Sequence, residues 1–317
     1  MARALLSLAV VFFVGCGSSP GTPDGGSDDG GTDAPPCTPG SACVATDKSC
    51  IGLTDNASAM QFGLRINHFT PTAPTSLSTG IVRSVIGGGI TPNLAACNLT
   101  GSGTSNWLLQ FDTLARTLKV GGAASVPDPT QGYSFFDGMI GGSASAPVTF
   151  DLTFDASSGA FSTGARNVAL PVFLNEEATS GFVLPIKQAT VQSATLSKSK
   201  NSIGIYNAAG LSPADSCAPD ATHPQFIDAA SLRGFISLED ADTIVISALQ
   251  QSLCVLLSGN AAMYGTPMGP TTVCKRTAGT IDFQGDWCDA SNMPASQACA
   301  DAMQFRATFS AASIVIR

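Results

Sequence analysis

Cysteine carries most of the readable chemistry in this sequence. Of its ten cysteines, Cys37, Cys43 and Cys50 fall in a short stretch rich in Thr, Ser, Pro and Gly, and Cys97, Cys217, Cys254, Cys274, Cys288 and Cys299 are spread through the remainder. Structural zinc would need paired Cys-x-x-Cys knuckles or histidines close by. The sequence has neither, its only histidines being His68 and His223. Disulfides in an exported chain are the expectation instead. Spacing favours Cys254–Cys274 and Cys288–Cys299, the latter flanking a short Asn/Pro/Ser loop, and closing loops of this size contributes about 3 kcal/mol each. Setting Cys16 aside leaves an odd number, so one thiol stays free or joins another chain.

Acid–base and nucleophilic chemistry have few footholds. H-E-x-x-H and phosphate-loop patterns are absent from the sequence, and no G-x-S-x-G falls at a strand-to-helix turn, its one occurrence being Gly17-Ser18-Ser19-Pro20-Gly21 in the Gly/Ser/Asp/Pro stretch. A histidine-dependent nucleophile would need His68, which falls on the apolar side of an alternating run and reads as a hydrogen-bonded core residue. The other choice, His223, precedes Pro224 in a Pro/Asp-rich loop. Ser197-Lys198-Ser199-Lys200 has S-x-x-K spacing, but that chemistry requires the serine at a helix start, and here the segment reads as a solvated turn between strands. A glycosidase needs two carboxylates at a set separation, and nothing singles out a pair among Glu176, Glu177, Glu239 and the aspartates. Asp282, Asp286 and Asp289 gather around Trp287 and are the candidate Ca²⁺ ligands, without EF-hand spacing; solvated loop acids are the alternative. Trp107 and Trp287, with Tyr133, Phe135 and Phe136, are candidates for an aromatic platform that binds sugars, although core packing is the default for such rings in a β domain. No cofactor is expected.

The elements that would hold these residues are mostly strands. Met60, Phe62, Leu64, Ile66 and His68 alternate with polar or small neighbours, the period of a half-buried strand. Trp107–Phe111 and Leu114–Val120 alternate around Asp112-Thr113 and predict a hairpin. Val148–Phe154 is another such run, ended by Asp155-Ala156-Ser157-Ser158-Gly159. Val168–Leu174 contains Pro171 and predicts an edge strand. Phe182–Lys187, Ala189–Leu196, Ser202–Tyr206 and Phe305–Ile316 complete the set. One segment differs: Ser237 caps a run reaching Leu257, with Glu239, Asp240 and Asp242 at the positive end of the helix dipole. On that amphipathic helix Ala241, Val245, Ala248, Leu249 and Leu256 share the packed face and Cys254 points away from it. The fold expected is mostly β: an antiparallel β-sandwich or barrel-like domain with one amphipathic helix near 238–257 and several disulfides.

The front of the chain concerns address. Arg3 precedes an apolar run, Ala4–Val14, interrupted by Ser7. Such a run is too short to cross about 30 Å of hydrocarbon and has the length of a signal-peptide core. Phe13-Val14-Gly15-Cys16 resembles the lipobox of bacterial lipoproteins, usually Leu-Ala/Ser-Gly/Ala-Cys; Phe13 departs from the usual leucine. The resemblance implies a diacylglyceryl group on the Cys16 sulfur and cleavage before it. Acyl chains anchor at about 0.8 kcal/mol per buried CH₂. Gly17, rather than Asp, follows the cysteine, which in Gram-negative sorting implies the outer membrane without specifying its face. Gly17–Pro36 has no large apolar residue and is expected to be a disordered, acidic Gly/Ser/Asp/Pro tether. The expected organisation is a leader over 1–15, lipidated cysteine and tether over 16–36, a cysteine-containing lead-in over 37–58 and a single β-rich domain over 59–317.

Three further segments, Gln251-Ser-Leu-Cys-Val-Leu-Leu-Ser-Gly259, Cys274-Lys-Arg276 and Gly285-Asp-Trp-Cys288, together with Ala189–Leu211, resemble a group of uncharacterised lipoproteins of myxobacterial type. The likeness spans Asn106–Arg317; it implies a shared fold and address and supplies no catalytic residue. The net charge is −8 and only 12% of residues are charged. With no basic run, nucleic acid is not an expected partner. The expected function is therefore a lipid-anchored envelope or cell-surface module, non-catalytic, binding a protein or glycan. An exported carboxylate-based hydrolase, glycan-directed, is the alternative reading, and an envelope component buried within an assembly is the third. A concave pocket with converging acids or histidines would favour the enzyme, and a large contiguous apolar patch the assembly.

Overall fold

A computed structural model describes residues 54–90, 102–206, 226–259 and 272–317. The leader, Cys16, the tether, His223 and Cys37, Cys43, Cys50, Cys97 and Cys217 lie outside the described residues. The long strands are β1 (Gln61–Ala73), β2 (Asn106–Asp112), β3 (Thr117–Ala123), β4 (Val148–Phe154), β5 (Ala160–Thr163), β6 (Arg166–Phe173) and β7 (Gly181–Gln192). They are followed by the short β8 (Ala194–Thr195) and β9 (Ser202–Ile203), then β10 (Ala230–Ser237), the short β11 (Trp287–Cys288) and β12 (Ala302–Ile314). Pairing is antiparallel throughout, in the order β8-β5-β4-β3-β2-β1-β12-β10-β7-β6, with β9 and β11 attached to β12.

This sheet closes on itself. β7 and β8 are separated by Ser193 alone, whose φ of 51° bends the chain. Past that bend Ala194 pairs with Phe161 on β5, while before it Val191 pairs with Leu232 on β10. One segment therefore joins both ends of the ring, and the Val191 N–H also reaches Thr163 Oγ1 at 2.9 Å. The barrel-like alternative is the one realised.

The alternating residues fill the interior. Phe62, Leu64, Ile66, Trp107, Leu109, Phe111, Phe150, Leu152, Phe305 and Phe309 are all buried in one apolar cluster. Among the described residues the interior holds a cavity of about 20 Å³ with a wholly apolar lining that includes Ile66, Trp107, Phe150 and Phe309. A void of that size and character stays dry and holds no sizeable ligand. Trp107 is fully enclosed and donates from Nε1 to the Pro171 carbonyl at 2.7 Å. It is a core ring and takes no part in a surface platform.

β6 is an edge strand, as Pro171 predicts, and its free carbonyls are capped by side chains. Ser145 Oγ donates to Ala169 O, Trp107 Nε1 to Pro171 O and Ser105 Oγ to Phe173 O. Proline costs nothing at the centre of this row, because it has no N–H to leave unpaired. The Pro171 ring lies over Gly122, where a Cβ would run into it. Gly122→Ala is expected to lower stability by about 1–3 kcal/mol through overpacking. Urea unfolding should show a lower midpoint with an unchanged slope; an unchanged midpoint would mean that the ring gives way.

Three local expectations change. First, the register between β1 and β12 shifts between Ile66 and His68. This bulge reverses the alternation, so Phe69 takes the inward position and His68 turns out, with a side chain 33% exposed. Second, the run 238–257 is not one helix. It is α3 (Leu238–Thr243), a small hairpin of Val245–Ile246 with Gln251–Ser252, and α4 (Leu253–Ser258), numbered after α1 (Thr75–Ser78) and α2 (Gly80–Ile90). The β-branched run Thr243–Ile246 favours extended backbone, and Gln250, with φ of 53°, turns the hairpin. Val245 is consequently exposed while Cys254 is fully buried, the reverse of the helical-face assignment. Third, Phe182–Leu196 is nearly continuous strand, with a register shift facing Gly234 where Gln188 has φ of 49°.

The outer face of β1 carries a polar inclusion. Arg65 is 1% exposed, donating from Nε to Asn106 Oδ1 at 2.6 Å and from one terminal nitrogen to Ile90 O at 2.5 Å. Asn106 Oδ1 also takes the Gly103 N–H, and its Nδ2 donates to Gly103, Ala123 and Ala124 carbonyls. Burial pushes the guanidinium down to about 10, opposed by Tyr133. No carboxylate pairs with it among the described residues, and Arg65 Nη1 and the Tyr133 hydroxyl are buried without partners.

Candidate functional site

The two disulfides, the buried acid Asp242 and an open cleft come together at one end of the barrel, where β10 finishes and β12 begins. β10 delivers Ser237, whose Oγ caps α3 by accepting from the Asp240 N–H at 3.4 Å. The first turn of α3 then presents Glu239 and Asp240, and its next residues bury Asp242. That carboxylate accepts from Ser252 Oγ at 2.8 Å, from the Cys274 N–H at 2.7 Å and from the Arg276 guanidinium at 2.9 Å. Cys254 of α4 is bonded to Cys274, with Cα atoms 5.9 Å apart. The disulfide and the carboxylate thus fix the same backbone stretch from two sides.

Beyond Cys274 the chain forms a tight hairpin, Arg276–Thr277 with Thr280–Ile281. Ala278 and Gly279 both have positive φ, the geometry of the turn that matches strand twist. Arg276 makes a forked pair with Glu239 at 3.0 and 2.8 Å and also holds Asp242. These contacts, Glu239 first, raise its pKa further above its ordinary value. Lys187 of β7 bridges Asp289 at 2.6 Å and Asp240 at 2.9 Å. Partial burial pulls Lys187 down, but the hydrogen bonds to Asp289 and Asp240 outweigh it and its pKa is raised. Cys288 of β11 is bonded to Cys299, Cα atoms 5.3 Å apart, closing the loop that follows. Both expected disulfides are present.

Between α3, the Thr280–Gln284 arm and the Gln297–Asp301 arm lies a cleft of about 270 Å³. Leu238 and Ile281 are its buried apolar lining, and Glu239, Thr280, Gln284 and Gln297 are its exposed polar lining. Its two carboxylates are already engaged, Glu239 with Arg276 and Asp301 Oδ1 with the Asp289 N–H at 2.8 Å. No histidine, lysine or arginine lines it among the described residues. The chemistry it can offer is hydrogen bonding over an apolar floor, with no nucleophile–base pair.

The candidate calcium ligands are dispersed in their contacts. Asp282 pairs with Lys275 at 3.3 Å, and its pKa is lowered chiefly by the Thr277 hydroxyl. Asp286 Oδ1 takes the Gln304 N–H at 2.7 Å, and Asp289 takes Lys187. Among the described residues the acids and cysteines that do converge are Asp242 with Cys254 and Cys274, and Asp301 with Cys288 and Cys299. Their sulfurs are spent in disulfides and offer no thiolate. Trp287 is half-buried, donating to Asn292 Oδ1 at 3.0 Å, outside the cleft lining.

His68 Nδ1 lies 2.7 Å from Asp228 Oδ1, and Thr308 Oγ1 donates to the other oxygen of that carboxylate at 2.6 Å. This ties the stretch after Ile227 to β1 and β12. The Ser197–Lys200 segment is a turn, as expected: Ser197 Oγ contacts Asn201 Oδ1, and Lys200 Nζ donates to Ala59 O. Sequence reasoning missed Gln284, Gln297 and Asp301, whose proximity comes only from the disulfide loop folding back on the hairpin; the Cys288–Cys299 spacing was the one available signal. The chain matches no protein-family model, no curated protein and no solved structure.

Proposed function

We propose that this chain is an exported lipoprotein, held to the outer membrane through lipid on Cys16, whose stapled cleft binds a ligand without transforming it. The observation that carries the binding reading is the cleft itself: concave, framed by disulfides, and lined by two carboxylates that each already accept hydrogen bonds from the chain. Disulfides belong to oxidising compartments, which agrees with the leader and with the lipobox resemblance. No helix among the described residues is long and apolar enough to cross a membrane.

Thr54, where the described chain begins, donates its N–H to Ser313 Oγ near the end of β12. The cleft residue Asp301 immediately precedes the start of the same strand. The 13 residues of β12 extend about 40 Å at roughly 3.3 Å per residue. Thr54 and the cleft thus lie at opposite ends of β12.

The test is metabolic labelling with a clickable palmitate analogue. The wild-type chain should take up label and begin, when mature, at Cys16, and Cys16→Ser should take up none. An unlabelled wild-type chain, or a mature N-terminus elsewhere, would overturn the anchoring. Protease shaving of intact cells then reports the membrane face: release of the domain supports surface display, and protection that is lost only on lysis rejects it.

A further inference from the structure

We infer that the cleft between α3 and the Cys288–Cys299 loop is a saccharide site, taking a neutral sugar unit of a glycan. This rests on the binding reading above and gives it a ligand class. At about 270 Å³ the space sits at the lower edge of the usual range for ligand pockets, about 300–1,000 Å³, which suits a unit of one sugar ring or slightly more.

The lining matches that chemistry. A sugar hydroxyl both donates and accepts, and so does a glutamine amide. Gln284 and Gln297, on opposite arms, line the cleft, and their side chains make no hydrogen bond within the chain among the described residues. Thr280 adds a hydroxyl and Asp301 adds Oδ2, beside the Oδ1 that takes the Asp289 N–H, whereas Arg276 holds both oxygens of Glu239. Leu238 and Ile281 give the apolar contact that the C–H face of a sugar ring needs. With no lysine, arginine or histidine in the lining among the described residues, a phosphate or carboxylate ligand would find no cation there to pair with. The arms are held by a disulfide, a tight hairpin and the Arg276 fork, so little ordering is left to oppose binding.

The test uses the full-length chain in a zwitterionic, sugar-free detergent. A panel of neutral mono- and disaccharides, including N-acetylated ones, is screened by saturation-transfer NMR and calorimetry, with inorganic phosphate and a lysine-rich peptide alongside. At least one saccharide should bind, and Gln284→Ala and Gln297→Ala should each weaken it about tenfold, the loss of one or two hydrogen bonds. Both substitutions are on exposed side chains, and an unchanged melting temperature verifies the fold. Silence across the saccharides, or sugar binding indifferent to both substitutions, overturns the inference. Binding of the lysine-rich peptide alone overturns it too but leaves the binding module standing, whereas cleavage of a disaccharide overturns the binding module itself.

Discussion

Asn106→Leu is expected to destabilise the folded chain by about 3–5 kcal/mol, the range for a buried charge that loses its partner. Asn106 Oδ1 is the acceptor for Arg65 Nε, and the same side chain ties Gly103, Ala123 and Ala124. Leucine fills the volume but leaves the guanidinium with Ile90 O alone. Arg65→Met with Asn106→Leu should recover much of the loss, because removing the charge together with its acceptor removes the desolvation penalty. Equilibrium urea unfolding of both variants measures this, and a double variant as unstable as Asn106→Leu would show that the charge is not the cause.

The same residue gives a pH dependence. Burial lowers the folded-state pKa of Arg65 to about 10, below that of the unfolded chain. Above pH 10 the unfolded state therefore binds more protons than the native one, and this group's contribution to stability rises with pH. Below pH 10 the penalty is present in full. Stability of the wild type relative to Arg65→Met should accordingly climb from about pH 10 upward. Taking the difference between the two chains cancels the common titration of lysines and tyrosines. A flat difference would mean the guanidinium is solvated in the native state.

Loss of the Cys254–Cys274 bridge is the second large effect. Cys254→Ala with Cys274→Ala opens a loop of sequence separation 20, worth about 3 kcal/mol in chain entropy. Both sulfurs are buried, at 0% and 2% exposure, so two small voids add to the cost. The damage should be localised at first. Asp242 takes two of its three hydrogen bonds from the Cys274 N–H and Arg276, the third coming from Ser252 Oγ, so freeing this backbone leaves a buried carboxylate short of donors. Hydrogen exchange should accelerate in α3, α4 and the 276–281 hairpin before β1 to β5 respond. Uniform acceleration across the barrel would show that the bridge supports global rather than local stability.

How much of this could be read beforehand differs from element to element. β1 to β4 were visible because one face of each is enclosed by the ring and the other is not, and that asymmetry is what period two records. Pro171 marked β6 as an edge for the reason the structure bears out, a missing donor on an unpaired side. β10 went unread because Arg233-Gly234 interrupt its alternation at the register shift opposite β7. The bulge at Asn67 inverted His68, since one extra residue flips every later side chain and leaves no mark in composition. Residues 238–257 imitated a helix because apolar residues from two short helices and a hairpin fell by accident at helical intervals. α2 went unnoticed for the opposite reason, its Gly87-Gly88-Gly89 having low helix propensity while it packs against β1. The disulfide partners were legible from spacing. The cleft was not, because α3 lies about 40 to 60 residues of chain before the two arms and meets them only through the folded end of the barrel, where loop closure and not local preference decides proximity.

The antiparallel pairing of β1 with β12 has a mechanical consequence. Tension between Thr54 and the cleft draws the start of β1 one way and the start of β12 the other. The load runs along the strands, so the rungs from Gly63–Ile314 to Ala73–Arg306 are sheared together instead of being unzipped in turn. Such a ladder yields only when many bonds break at once, so the seam between β1 and β12 resists a pull along its length far better than a pull across its end.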